Sequence, residues 1–442
     1  MRFKMALAGA VQALGIAASA AVVPVSPADG EKVALLPDAQ KKIMSFATHE
    51  ERAAAVKADA EKPKDERFYD RDRASKWRTS LPLKLKWRTT DGEAGPWKIM
   101  IGKTPDLADA AEIWINSEAA LRMTLTEKSK TGEKAEGNVH VYTYELPCAN
   151  LEIGRTYYWK VWSNVACRRF PHGSTMYAKC PYCDGRRAVA SDVASFATED
   201  LPPRWIKLKG NIANVRDLGG WTALGGRRIK QGMVFRGQGL NNGSVNGERP
   251  GDSRMMVDDV KYLRDVLGIK TVLDLRTDLE VGGMAESPLG PGVKFFHRAS
   301  PAYEGLFVVG DKAGGFNKHL CPDGKKATAE NFRVFCDRAN YPIYFHCAGG
   351  ADRTGSLAYV LMGVLGVSRH DAEVEWESTF YPKFSEFACL RDHWRSKLHF
   401  DEGLARYGDA DTPLMRRVEL YLLECGVTQD EIERFRSIML DP

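Results

Sequence analysis

Several familiar signals are scarce in this 442-residue chain, and each scarcity narrows what it can be. Charge of one sign is scarce: 63 Lys and Arg stand against 58 Asp and Glu, a formal +5 without a long basic run. That balance argues against a nucleic-acid partner, which selects dense basic patches. Beyond the first 25 residues no apolar run is long enough to cross a bilayer. A second Cys-x-x-Cys pair is missing, so Cys180 and Cys183 alone are a weak metal signal. The length exceeds one typical domain, and two or three cores are expected.

The one long apolar run lies at the start. Arg2 and Lys4 precede the uncharged stretch from Met5 to Val25, and Ala18-Ser19-Ala20 offers a cleavage site before Ala21. Rich in Ala and Gly and broken by Gln12, it suits a cleaved signal peptide (residues 1–20) better than an anchor. The mature protein is expected in a periplasm or outside the cell, with no membrane insertion after cleavage. Nine cysteines in an exported chain invite disulfides. Four precede residue 200 and five follow it, so one free thiol would leave each half an even number. Cys167, His172, Cys180 and Cys183 fall in one excursion, 163–187. A loop pinned by disulfides is the preferred reading there, with a three-sulfur, one-nitrogen zinc site as the alternative.

Residues 25–200 read mainly as short strands. Lys32–Leu36 suits a first strand, Asp38–Asp59 is helical in composition, and Glu61–Arg78 is a charged surface or insertion. From Leu81 the period becomes two: Leu83, Leu85 and Trp87 alternate with Lys84, Lys86 and Arg88, and Trp97, Ile99 and Ile101 repeat the pattern. Val139–Leu146, Thr156–Trp162 and Ala188–Thr198 extend it. Such strands with turns between them predict an all-β antiparallel sandwich. The segment Leu151-x-x-Gly154-x-x-Tyr157-Tyr158-Trp159-Lys160-Val161 resembles the tyrosine-bearing penultimate strand of fibronectin type III-like domains. That resemblance implies a binding or spacer module and brings no catalytic residue.

A linker at 201–205, marked by Pro202-Pro203, leads to a mixed α/β region over 206–442. Met233–Arg236, Thr271–Arg276, Val293–His297 and Ile343–His346 read as strands. Caps at Ser368, Thr412-Pro413 and Thr428 open helices in the tail. One sheet covered by helices is expected, with ligands at the carboxyl ends of its strands.

One such strand end carries Phe345-His346-Cys347-Ala348-Gly349-Gly350-Ala351-Asp352-Arg353-Thr354-Gly355, followed by the apolar stretch Ser356–Leu365. Strand, glycine-bearing loop and helix start make an anion cradle, because backbone N–H groups and the helix dipole converge on one point. The same field favours a thiolate at Cys347, and Arg353 offers a planar fork for phosphate oxygens. Phosphate ester hydrolysis through a phosphocysteine fits: Ala348, Gly349, Gly350 and Ala351 would bind oxygens through their N–H groups. His346 would orient the loop and help ionise the thiol, and Thr354 would donate to the sulfur as it leaves. Asp352, nearest in sequence, is the preferred general acid. Asp323, expected on a mobile loop, is the alternative. Asp274 and Arg276 either support the site or only pair with each other. His297, His319, His370, His393 and His399 show no partner pattern, and 381–411 suits a lid. This chemistry needs no metal and no cofactor.

The loop resembles that of cysteine-dependent tyrosine phosphatases, particularly a bacterial and fungal branch with Lys-Asp-Arg there. Asn214-Val215-Arg216-Asp217-Leu218-Gly219-Gly220 with Gly232-x-x-Phe235-Arg236, and Val272-Leu273-Asp274-Leu275-Arg276 with Glu280, look like that branch's other two motifs. The resemblance covers 205–442 and implies a cysteine phosphatase fold with Cys347 as nucleophile, Arg353 as clamp and Asp352 as acid. Ala351 stands where the branch usually has lysine, which argues against a second phosphate on the substrate. The expected partner is a phosphorylated protein or a small phosphate ester. An inositol phosphate phosphatase, a catalytically weak phosphoprotein-binding module and a sulfurtransferase are the rivals. Sequence gives no oligomeric state.

Overall fold

The computed structural model describes residues 22–68, 79–89, 95–115, 121–124, 140–163, 188–241, 254–300, 322–381 and 403–442. The expected signal peptide, Cys167, His172, Cys180, Cys183, His319, His393 and His399 lie outside them, as does most of the expected lid. The chain divides into two compact units: 1–32, 84–145 and 156–197 in the first; 33–83, 146–155 and 198–442 in the second.

The first unit is built on β1 (Val22–Ser26), β2 (Glu31–Val33), β3 (Leu83–Thr89), β4 (Trp97–Gly102), β5 (Ala111–Ile115), β6 (Leu121–Thr124), β7 (His140–Leu146), β8 (Thr156–Ser163), β9 (Val189–Ala190) and β10 (Ala194–Thr198). One sheet runs β1-β3-β7-β6 and the other β2-β10-β8-β4-β5, with β9 on β8. Alternation decides the faces: β3 buries Leu83, Leu85 and Trp87 and exposes Lys84, Lys86 and Arg88. Trp87 and Tyr142 from one sheet meet Trp97 from the other, with ring centroids 5.2 Å apart for Trp87–Trp97 and 4.6 Å for Trp97–Tyr142. The expected first strand at Lys32–Leu36 is shorter and earlier. Val22–Ser26, read as the tail of the apolar leader, takes the edge position beside β3.

The second unit begins with α1 (Asp38–Met44) and α2 (His49–Ala60). The helical composition expected over Asp38–Asp59 resolves into two helices. Thr48 separates them by accepting from the Glu51 N–H while Glu51 returns to the cap backbone, a reciprocal box that starts a new helix. These helices were expected within the sandwich region, yet they group with the second unit. The cause is apolar: Leu36, Ile43, Met44 and Val56 join the cluster that holds Trp205, Trp221, Phe335 and Trp376.

That unit's sheet contains β11 (Arg204–Trp205), β12 (Arg216–Asp217), β13 (Val234–Gly237), β14 (Thr271–Asp274), β15 (Lys294–His297) and β16 (Ile343–His346), in the order β11-β12-β13-β16-β14-β15. The expected linker thus ends inside the sheet, since Trp205 already pairs with Arg216. Among the described residues it also has helices α3 (Val257–Lys261), α4 (Asp278–Val281), α5 (Pro322–Phe335), α6 (Arg353–Val364), α7 (Arg369–Glu377), α8 (Leu414–Glu424) and α9 (Gln429–Met439). All twelve residues of α6 are buried, as a helix apolar on every side from Leu357 onward requires. Asp323 stands in the first turn of α5, not on a loop, because Pro322 supplies a preset first helical residue.

Cys148, Cys336, Cys347 and Cys425 are free thiols. The even pairing expected in each half therefore fails for Cys148, Cys336 and Cys425. Cys336 instead packs with its Sγ 3.5 Å from the Phe332 carbonyl and 3.4 Å from that of Glu431, and burial pushes its thiol up to about 12.

Candidate active site

The central strand places the loop. β16 runs parallel between β13 and β14, with Gly237 and Asp274 both in register with His346. The next residue, Cys347, leaves the sheet at its carboxyl edge and is 2 % exposed. Six residues later α6 begins with Arg353.

The loop between them is held from outside by its carbonyls. His346 Nδ1 lies 3.1 Å from the Cys347 carbonyl oxygen, and the Gly239 N–H donates to that of Ala348 at 3.3 Å. Asn214 Nδ2 donates to the carbonyls of Gly349 (3.3 Å) and Gly350 (2.9 Å), and Arg236 adds a second bond to Gly350 at 2.7 Å. Trp376 Nε1 donates to Ala351 at 3.0 Å. Five successive carbonyls are thus turned away from the loop's hollow. The N–H groups of Ala348, Gly349, Gly350 and Ala351 make no hydrogen bond among the described residues. A peptide that fixes its carbonyls one way directs its N–H groups the other, and a concave row of such donors is an anion site. Gly350 is required: at φ +69° its absent Cβ would lie 2.2 Å from the Gly237 carbonyl oxygen. Gly349, by contrast, faces open space, so only one of the two glycines is needed for the turn.

Arg353 is 1 % exposed, and Glu280 grips it through both carboxylate oxygens, at 2.5 and 2.9 Å. Burial pushes Glu280 up, but Arg353 and the Thr277 N–H outweigh it and leave the carboxyl below its usual range. The grip fixes the plane of the fork. Asp274 and Arg276 pair with each other at 2.6 Å, and Asp274 also faces His346 Nδ1 at 3.7 Å. His297 holds the Arg276 carbonyl at 2.8 Å, a partner that the sequence did not suggest. His346 is fully buried, and burial lowers its pKa against the pull of Asp274. Its Nδ1 contact ties the first peptide of the loop to the buried strand.

Two buried arginines lie beside the loop. Glu375 accepts from Arg216 Nε at 2.5 Å and from Arg236 at 2.7 Å, so one carboxylate serves two guanidinium groups. Burial lowers both arginines' pKa values, that of Arg216 to about 9, and Glu375 together with the Cys347 sulfur supports the Arg236 cation. The Arg353–Glu280 and Arg276–Asp274 pairs are neutral overall, whereas this triad carries one positive charge in surplus beside the loop. Low-dielectric surroundings make that surplus count.

The whole of this arrangement falls inside residues 206–441, which match the family model described as tyrosine phosphatase family. The chain belongs to the tyrosine phosphatase family. It is 28% identical over 173 residues to a protein of Cupriavidus necator that bears the name tyrosine-protein phosphatase, a match covering 36% of this chain and 58% of that one. The chain therefore spans little more than half the length of that relative. Two solved cores are similar at a lower level. One is the core catalytic domain of the PP-IP phosphatase Siw14 from S. cerevisiae in complex with citrate, at 15% identity and a TM-score of 0.24 over 39% of this chain and 84% of that one. The other is a Siw14 catalytic core, at 16% identity and the same TM-score over 39% and 83%. Overlaps this slight say nothing about what the phosphatase acts on.

The structure brings His346, Cys347, Ala348, Gly349, Gly350, Ala351, Asp352, Arg353 and Thr354 to one place. Asp352 is half-buried at the N-cap of α6, and its carboxylate supports the Arg236 cation. The Thr354 hydroxyl is buried and has no hydrogen-bond partner among the described residues. Gly324, beside Asp323, lines a small cavity with Thr328, Asn331 and Arg353, but the Asp323 side chain lies outside the described residues. Among those residues no three His, Cys, Asp or Glu are placed to hold a metal. Glu375, Trp376 and the roles of Asn214, Arg216 and Arg236 were missed. A signal existed: helical spacing puts Glu375 on the same buried face as Ala372, Trp376 and Thr379, where an acid needs a partner.

Proposed function

We propose that the protein is an exported cysteine-dependent phosphomonoesterase that removes phosphate from tyrosine-phosphorylated protein. The observation that carries this reading is the row of five outward carbonyls around Cys347, which leaves a row of N–H donors for a phosphoryl group. The Cys347 thiolate attacks phosphorus in line. The S–P bond forms as the P–O bond to the leaving oxygen breaks, and that oxygen takes its electron pair and a proton from Asp352. Arg353 and the loop N–H groups hold the charge on the phosphoryl oxygens. Water then attacks phosphorus, Asp352 takes its proton, and the sulfur departs with the Thr354 hydroxyl donating to it. Ala351 gives no side-chain cation for a second phosphate, which favours a single phosphoryl group over inositol phosphates.

The test is a panel of phosphotyrosyl peptides, inositol phosphates and a chromogenic phosphate ester, run with the wild type and Cys347→Ser. Hydrolysis strongest on the phosphotyrosyl peptides and at least ~10⁴-fold lower in the variant is the expected outcome. Binding of phosphopeptide without hydrolysis by the wild type would make the protein a recognition module instead. In the same panel, Asp352→Asn should slow alkyl phosphates more than aryl ones, whose leaving oxygens need a proton less.

A further inference from the structure

The family match begins at residue 206, yet a residue 154 positions earlier is tied to the helix that holds the phosphate loop. Arg52, on α2, is fully buried. Its Nε and one terminal nitrogen each donate to Glu377 at 2.6 Å, a two-pronged fork. It also donates to Glu373 at 3.2 Å and to the Phe46 carbonyl at 3.0 Å. Glu373 and Glu377 are four apart on α7 and share one face. Glu375 and Thr379 point to the opposite face, towards Arg216 and Arg236, and Trp376 reaches the Ala351 carbonyl. α7 is therefore gripped on one side by Arg52 and grips the loop with the other. The Glu377 carboxylate is fully buried, so without Arg52 it would lack its main counter-charge.

We propose that Arg52 is a positioning residue for the phosphate loop, acting through α7: the N-terminal helix pair fixes the rotation and height of α7, and α7 fixes the loop. The catalytic unit then includes a part that the family region alone does not contain. The effect on turnover rests on the phosphatase reading given above; the mechanical link does not.

The test uses the full chain with Arg52→Lys, which keeps the charge and loses the fork, and with the double variant Arg52→Met/Glu377→Met, which removes both buried charges. Two quantities are read: amide hydrogen exchange in peptides covering residues 347–355, and kcat and KM on a chromogenic phosphate ester. Arg52→Lys is expected to speed exchange in the loop and to lower kcat by about 10–100-fold with a smaller change in KM, as misplaced catalytic groups do. The double variant is expected to recover the melting temperature without recovering kcat or loop exchange. Loop exchange and kcat at wild-type values in either folded variant would overturn the proposal and leave Arg52 a stabilising residue only. A wild type inactive on every phosphate ester would overturn the phosphatase reading, while the exchange experiment, which needs no substrate, would still decide the link.

Discussion

Both units have apolar interiors, but their bulkiest buried side chains differ. The largest fully buried side chains of the first include three tryptophans, Trp87, Trp97 and Trp159; those of the second include five arginines, Arg52, Arg216, Arg236, Arg276 and Arg353. Burying a tryptophan stabilises a fold directly through the apolar area removed from water. Burying an arginine with a carboxylate roughly breaks even, because desolvation offsets the attraction. Apolar burial thus accounts for the first unit's tryptophans, although the indole N–H groups of Trp87 and Trp97 find no partner among the described residues. It does not account for the arginines: four of the five hold the loop, its neighbouring strand or the helix behind it, and the fifth, Arg353, stands at the loop's end in the grip of Glu280. What ion pairs offer in place of stability is direction: a guanidinium fork fixes angles as well as distances.

That contrast can be broken at several points. The largest effect is expected at Arg353→Lys, which keeps the charge and removes the fork. kcat/KM should fall by about 100–1,000-fold, as loss of a preorganised oxyanion donor does elsewhere, with little change in melting temperature. A loss under tenfold would mean that charge, not geometry, is what the site needs. Trp159→Ala should show the reverse. It should destabilise the first unit by about 3–5 kcal/mol, followed by its unfolding transition, while kcat/KM stays within about twofold. A parallel collapse of activity would tie the sandwich to the chemistry.

Glu375→Gln comes next. It removes the carboxylate that Arg216 and Arg236 share and is expected to destabilise the second unit by about 3 kcal/mol, with kcat reduced because the Gly350 anchor loosens. Unchanged kinetics in a destabilised protein would reduce the triad to packing. The smallest effect is pH-dependent. His346, Asp274 and Glu280 all have folded pKa values below their ordinary ones. Each therefore contributes stability above its unfolded pKa and loses it as pH falls through the folded one. The second unit's melting temperature should decline from below about pH 6.5, where unfolded histidine begins to bind protons, and fall further as the carboxylates titrate. The first unit's aromatic core should follow with a shallower slope. Equal slopes would erase the distinction.

Much of this was legible in the sequence. Period-two alternation at Leu83–Trp87 and Trp97–Ile101 located the sandwich strands, because a half-buried strand must alternate. The strand ending at His346 and the largely apolar helix after the loop were legible because each obeys a local rule. Helix caps at Thr428 and Ser368 were legible too, although Ser368 makes only the single bond to the Asp371 N–H and not a reciprocal box. What escaped was long-range. Nothing near Arg52 in sequence announces a partner 325 residues away, and the Glu280 carboxylate serves its own helix cap as well as Arg353. Composition placed α1 and α2 correctly as helical but could not say which core would bury them. The cysteine count misled because parity says nothing about which thiols are near one another.

The five outward carbonyls bear on how the loop meets its ligand. A flexible segment must be ordered by what it binds, at about 1–2 kcal/mol of backbone entropy per residue. Here that ordering is completed during folding, by His346, Gly239, Asn214, Arg236 and Trp376, before any oxyanion arrives. Even a bare inorganic oxyanion, with no peptide attached to add contacts, should therefore be captured at low cost in chain entropy. Its affinity will be governed by the water it must shed.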